Sequence, residues 1–293
     1  MGWRTVLIRD RCQLSHKLNY LTIKTAGKTE RVFLDEVDCL LVESTSVYFN
    51  VGLTNELMRR KIAVIFCDKN HNPCSQLLPL SGAFDSRRKI VEQMAWTQEV
   101  KDQLWGVIIR TKIARQADVL QAVYDNKKGS EKLIGLSQAV LPGDVENLEA
   151  QGARHYFATI FGNEFKRKDM EWQENAALNY GYSVLLSAVN RAVTTNGYLT
   201  QLGIHHIGNE NAFNLSCDLM EPFRPMVDRH LLVNSLWDLS PANKLAIVDV
   251  LNTQVVIEGQ KQYLANALAI YCKAALDALS DADISLFVDY QFC

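Results

Sequence analysis

The sequence predicts an α+β protein: a small β-sheet domain over residues 1–82, then a larger all-helical domain over residues 83–293. Three observations carry this. Short runs of Val, Ile, Leu, Phe and Tyr between turn formers fill the first part. After Gly82, Gly and Pro thin out and helical periodicity takes over. With 293 residues, 48% of them hydrophobic, the chain has material for two cores.

Residues 4–9, 18–25, 31–34, 39–43, 63–68 and 76–80 read as strands of a mostly antiparallel sheet. Turn signals at Ala26-Gly27-Lys28, Asn70-His71-Asn72-Pro73 and Ser81-Gly82 separate them. One helix interrupts near residues 54–61, with Thr54 as its N-cap and Asn55 and Glu56 in its first turn. In the second part, residues 87–124 read as one or two long helices. Pro142-Gly143 breaks the chain, and Asp144 caps a helix that runs to about Gly162. Residues 175–195 carry Leu178, Tyr182, Leu185, Val189 and Val193 at helical spacing, and Asn196-Gly197 closes them. Helices over 226–239, 241–256 and 261–280 complete the unit.

No run approaches the roughly 20 apolar residues a membrane helix needs, so no membrane role is expected. The first residues, Met-Gly-Trp-Arg-Thr, lack a signal-peptide apolar core and, with Val6, the myristoylation pattern. Seven scattered cysteines without a Cys-x-x-Cys pair read as reduced thiols of a cytoplasmic protein. Cys67, His71 and Cys74 lack an evident fourth metal ligand and read as ordinary packing residues. A net charge of −2 argues against a globally basic nucleic-acid binder. Basic triplets at Arg59-Arg60-Lys61, Arg87-Arg88-Lys89 and Lys166-Arg167-Lys168, and Arg110, Lys112 and Arg115 on one helix, still permit a basic surface.

The chemistry concentrates between Gly203 and Pro225. His205 and His206 enter a loop of Gly208, Asn209, Asn211 and Asn214, all turn formers. Asp218 and Glu221 follow at i,i+3, which places both carboxylates on one helical face. Pro222 stands four residues after Asp218, so the helix must start late, kink or break there, freeing backbone oxygens near the acids. A histidine, two carboxylates and spare carbonyls suit Mn²⁺ or Mg²⁺ better than a structural zinc. Spacing alone favours a solvated acidic turn over a metal site. Glu149 is a third carboxylate, with Gly152, Ala153 and Tyr156 on its small, apolar face. It needs a partner there: a salt bridge to Arg154 or Arg191, or a cation.

Four motifs in series carry a resemblance. They are Glu149-x-x-x-Ala153-Arg154, Leu178-Asn179-Tyr180-Gly181-Tyr182, Gly203-Ile204-His205-His206, and Asp218-Leu219-Met220-Glu221-Pro222-Phe223-Arg224-Pro225. Before them come an acidic segment around 38–43, a helix ending Met58-Arg59-Arg60-Lys61, and Ala63-Val64-Ile65-Phe66-Cys67-Asp68. Together these resemble the CRISPR-associated adaptation integrase family over nearly the whole chain, in the form that accompanies type II systems. The resemblance implies an N-terminal β domain for dimerisation and partner contact, a helical catalytic domain and a homodimer. It implies metal ligands at Glu149, at His206 of the Gly-x-x-His motif and at Glu221, with Asp218 beside them. His205 stands where the family usually has an apolar or aromatic residue.

The implied reaction is transesterification by the 3′-hydroxyl of a captured DNA fragment on the repeat ends of a CRISPR array, supported by Mg²⁺ or Mn²⁺. The chain has no Gly-x-x-x-x-Gly-Lys phosphate loop, and phosphodiester exchange needs no nucleotide. Arg224, Arg59, Arg60, Lys166 and Arg167 are the DNA-contact candidates; Arg224 could equally pair with Asp228 at i+4. The implied partners are double-stranded DNA (protospacer and repeat-leader DNA), a second copy of the chain and a small CRISPR-associated adaptation protein. Two other readings stay open: a structure-selective DNA metallonuclease, and a non-catalytic DNA-organising subunit.

Overall fold

The structure, a computed structural model, describes residues 4–69, 73–79, 85–169 and 171–293. Short apolar runs in the first part form β1 (Arg4–Ile8), β2 (Cys12–Lys17), β3 (Tyr20–Lys24), β4 (Thr29–Phe33), β5 (Val37–Val42), β6 (Val47–Phe49), β7 (Ala63–Cys67) and β8 (Pro73–Leu77). They build two four-stranded sheets, ordered β1-β5-β7-β8 and β4-β3-β2-β6. The expectation of a mostly antiparallel sheet is corrected: β1–β5, β5–β7 and β2–β6 pair in parallel. The reason lies in β5, Val-Asp-Cys-Leu-Leu-Val, whose six residues are all buried. Such a near-continuous apolar run belongs to a central parallel strand covered on both faces. The sequence reading also passed over β2 and β6. Leu18 and Asn19, read as the start of a strand, both have positive φ (49° and 65°) and turn the chain between β2 and β3.

Side-chain alternation in β5 and β7 sorts residues between two cores. Leu40, Val42 and Val64 join the core of the N-terminal part. Cys39, Leu41, Ala63 and Ile65 join the helical core. That sheet is therefore a wall common to both. Arg191 ties it down by donating to both oxygens of the buried Asp38 on β5, at 2.7 and 2.9 Å.

The helices are α1 (Val51–Arg59), α2 (Ser86–Ala95), α3 (Gln98–Tyr124), α4 (Lys127–Ala139), α5 (Leu148–Phe161), α6 (Gln173–Thr195), α7 (Asn214–Met220), α8 (Arg224–Asn234), α9 (Pro241–Val248) and α10 (Leu264–Asp281). Helix α1 starts earlier than expected because Asn50, not Thr54, caps it by accepting from Leu53 N at 2.9 Å. Helix α3 buries 13 of its 27 residues and packs against α4, α5, α7, α8 and α10. Asn196 ends α6 as expected, followed by Gly197 at φ 87°.

The C-terminal part is mostly helical but carries one sheet, where the sequence reading expected an all-helical domain. Strands β9 (Gln254–Ile257) and β10 (Gln260–Tyr263) form a hairpin, and β11 (Tyr290–Phe292) pairs with β9 on its other edge. Glu258 and Gly259 turn the hairpin with φ 50° and 72°, the pair of positive values a tight two-residue turn requires. Among the described residues no helix is long and apolar enough to cross a membrane. Of the Cys67, His71 and Cys74 trio, His71 lies outside the described residues; Cys67 is buried and Cys74 exposed.

Candidate active site and metal centre

Glu149 sits in the first turn of α5 because two residues hold the helix start. Asn147 adopts a left-handed conformation and accepts from Ala150 N. Asp144, expected as the cap itself, reaches in from three residues earlier and accepts from Leu148 N and Glu149 N at 2.9 and 3.0 Å. Gly152, one turn on, lets α5 approach α3: a Cβ there would stand 3.2 Å from Ile113 Cγ1. Next to Ile113 on α3 is Lys112.

Glu221 occupies the break that Pro222 imposes. Helix α7 ends at Met220, residues Glu221–Phe223 make a 3₁₀ turn, and α8 begins at Arg224. Two of the carbonyls at this break have hydrogen-bond partners. Asp218 O accepts from Glu221 N, and Pro222 O accepts from Tyr290 OH at 2.8 Å.

Glu149 and Glu221 nevertheless meet at one point. The Lys112 ammonium donates to Glu149 Oε1 at 2.5 Å and to Glu221 Oε2 at 2.6 Å. The Glu149 partner is thus neither Arg154 nor Arg191. Arg224 holds the other oxygen of Glu221 at 2.9 Å, not Asp228. Burial pushes the Glu221 carboxyl up, but Lys112 and Arg224 outweigh it and hold the group below its ordinary value. Burial likewise pulls the Lys112 ammonium down, and the two carboxylates reverse the shift, leaving it raised.

Asp218 organises the histidine loop. It is fully buried; Oδ2 accepts from Ile204 N at 2.7 Å and His205 N at 3.1 Å, and Oδ1 accepts from His206 N at 3.1 Å. His206 Nδ1 donates to the same Oδ1 at 2.6 Å, and this bond raises the His206 pKa. With Nδ1 so engaged, Nε2 is the ring nitrogen left for another partner. Gly203 is needed for the fold of this loop: a Cβ would lie 2.3 Å from His206 O and 2.8 Å from Asp218 Oδ2. His205 stacks flat on the buried Trp105, ring centroids 4.1 Å apart, and His206 meets the same ring edge-on at 6.0 Å.

The donor set fits a hard divalent cation. Two carboxylates from separate elements converge on one positive group, and an imidazole oriented by a carboxylate stands within electrostatic reach of both. The fit is incomplete: among the described residues no three His, Cys, Asp or Glu side chains stand close enough to hold an ion. The structure therefore brings Glu149 and Glu221 together and keeps His206, with Asp218 behind it, beside them. A concave cavity of about 650 Å³ opens at His206, lined also by Gln93, Lys101, Asn209, Asn211 and Asn214.

The basic candidates separate. Arg224 and Arg167 lie over the ring of Tyr182, at 4.7 and 5.1 Å, and Tyr182 OH donates to the buried Asp228 at 2.6 Å. Arg167 also donates to Asn175 and Asn179. Lys166 is exposed. Arg59 and Arg60 both pair with Glu56, and Arg60 also with Asp35. Lys112, read as part of a basic helical surface, is the residue whose place in the site was missed. Its signal was visible: Ile108, Ile109 and Gln116, its neighbours at i−4, i−3 and i+4, make a face of α3 that is buried.

A family model described as "CRISPR associated protein Cas1" matches residues 5–236. The chain is 34% identical over 267 residues to "CRISPR-associated endonuclease Cas1" of Neisseria meningitidis serogroup C, covering 89% of this chain and 86% of that one. It is 27% identical to "CRISPR-associated endonuclease Cas1 1" of Pyrobaculum aerophilum, over 76% of this chain and 79% of the relative. Among solved structures, "Casposase bound to integration product" superposes with a TM-score of 0.75 at 18% identity, covering 98% of this chain and 93% of that chain. A CAS1 protein from Thermotoga maritima gives 0.67 at 14% identity, covering 94% and 97%. At those identities the two structures speak for the fold alone. The matched family region spans β1 to α8 and includes Glu149, His206 and Glu221, and the chain belongs to the CRISPR-associated protein Cas1 family.

Proposed function

We propose that this chain is the metal-dependent DNA integrase of CRISPR adaptation, joining the 3′-hydroxyl ends of a captured DNA fragment to the repeat ends of the array. The observation that carries the reading is the convergence of Glu149 and Glu221, from α5 and the α7–α8 break, on one point, the Lys112 ammonium. Relatives named as endonucleases and a casposase structure named for its integration product support the same chemistry. Glu149, Glu221 and His206 are the residues that would hold Mg²⁺ or Mn²⁺. Bound there, the ion supplies Lewis acidity to the phosphoryl oxygens and the leaving alkoxide.

The chain's own residues do the rest. Asp218 fixes the His206 ring through Nδ1. Arg224, with 30% of its side chain exposed beside Glu221, would contact a phosphate, and Arg167 would continue the positive edge across Tyr182. In the reaction the fragment's 3′-oxygen forms a new bond to phosphorus, and the 3′-oxygen of the attacked strand leaves with a proton. One phosphodiester replaces another, so no nucleotide is consumed.

The working assembly in this reading is a homodimer bridged by a small adaptation partner on double-stranded DNA, with residues 1–82 making the dimer and partner contacts. A chain of similar fold in a "Cas6-RT-Cas1--Cas2 complex" (TM-score 0.71, 15% identity, covering 98% of this chain and 36% of that chain) supports the small partner. The test incubates the chain, the small partner, a short duplex and supercoiled repeat DNA with Mn²⁺. Covalently joined products are expected. Nicks alone would identify a metallonuclease that uses water, and neither product would leave a DNA-organising subunit.

A further inference from the structure

Lys112 has no part in the function proposed above, yet it stands at the centre of the site. Its side chain is 9% exposed, on a face of α3 shared with the buried Ile108 and Ile109. Both of its hydrogen bonds go to the two carboxylates read as metal ligands, and these come from different elements. The free oxygen of Glu221 is taken by Arg224. Two carboxylates are thus matched by two cations.

A divalent ion held by Glu149 and Glu221 would occupy the space where the ammonium now sits. Two cations cannot share that space, so one must leave. Lysine suits this role in a way arginine does not: it is a compact point charge on a flexible four-carbon stem rather than a planar fork locked onto its partner. A salt bridge that only stapled α3 to α5 would need Glu149 alone. This ammonium instead spans both acids, at 2.5 and 2.6 Å.

We propose that Lys112 is a tethered surrogate cation: in the metal-free protein it holds Glu149 and Glu221 together, and its ammonium vacates their shared position when Mn²⁺ or Mg²⁺ binds. This rests on the reading of Glu149 and Glu221 as ligands. Lys112 is then a positioning residue with two opposed effects. It offsets the buried charge of Glu221 while metal is absent. It also competes with metal, so the metal's apparent affinity is reduced by the fraction of molecules whose site the ammonium occupies.

The test titrates Mn²⁺ into the full chain by calorimetry and follows thermal unfolding with and without Mn²⁺, for wild type and Lys112→Met. The expected result is a lower melting temperature for metal-free Lys112→Met, together with Mn²⁺ binding at least tenfold tighter than wild type. A variant that loses stability but binds Mn²⁺ no tighter would make Lys112 a structural staple and overturn the proposal. Should Lys112→Met not fold, the wild type still decides through amine acylation read by mass spectrometry. Lys112 is expected to react several-fold faster at saturating Mn²⁺, with the exposed Lys127 unchanged as reference. Equal Lys112 reactivity with and without bound Mn²⁺ would also overturn it. Glu149→Gln and Glu221→Gln separate the two levels. If wild type binds Mn²⁺ and these variants do not, the ligand reading stands whatever Lys112 does. If wild type binds none, both fall.

Discussion

His205 and His206 are neighbours with different fates. They lie in a bend whose successive N–H groups converge on Asp218, and their rings stand edge-on, 5.7 Å apart. In the structure His206 is bonded to Asp218 through Nδ1, while His205 stacks on Trp105. His206→Ala is therefore expected to abolish strand joining, and His205→Ala to leave it largely intact. The two variants belong in one joining assay with metal titrated; the reverse ranking would move the ligand by one residue. Asp228 offers a separate test of how the site is supported. Burial pushes its carboxyl up from 3.8 to about 6, against the pull of the Tyr182 hydroxyl. The folded state thus holds that proton more tightly than the unfolded chain. Its contribution to stability is full below pH 3.8 and is lost as pH rises through about 6. The difference is worth ~3 kcal/mol, at about 1.4 kcal/mol per unit. Asp228→Asn should remove this slope between about pH 4 and 6 in denaturant melts; an unchanged slope would show that another group titrates there.

At the scale of the element, the break between α7 and α8 was legible because proline has a fixed consequence. The destination of the freed carbonyls was not, since it depends on Tyr290, almost 70 residues away. The hairpin of β9 and β10 was missed for a related reason. Val255, Val256 and Ile257 suit a strand, but the helical pattern on both sides absorbed them, and the Glu258-Gly259 turn went unread. Two glycines test the packing that positions the site. A methyl at Gly181 would come within 2.4 Å of Val227 Cγ1, between α6 and α8. Gly181→Ala should cost about 1–3 kcal/mol in chemical denaturation, and a neutral result would mean the helices separate freely. At Gly203 the obstacle is a backbone oxygen, His206 O, which cannot rotate away. Gly203→Ala should therefore lose strand joining through displacement of His206, with far less loss of global stability.

For the whole molecule, order of elements and fold class could be read from runs and turns, and the four motifs marked the acids and the histidine. What could not be read was the meeting of three distant segments. Only the approach of α5 to α3 at Gly152 brings Lys112 to Glu149 and Glu221 and makes them one cluster. The wall shared by the two cores was equally hidden, because period-2 alternation does not say which core each side of β5 will face. Asp38 and Arg191 fasten that wall to α6. Arg191→Ala would leave the 5% exposed Asp38 without its cation; a loss of about 3–5 kcal/mol is expected by denaturation. Binding of the assembled protein to DNA should weaken steeply with salt, through counterion release. The central claim, that Glu149 and Glu221 together hold the cation used in strand joining, is tested most directly by Glu149→Gln in the joining assay with Mn²⁺ and the small partner. The account predicts a folded protein that yields no joined DNA; joining at the parent rate would contradict it.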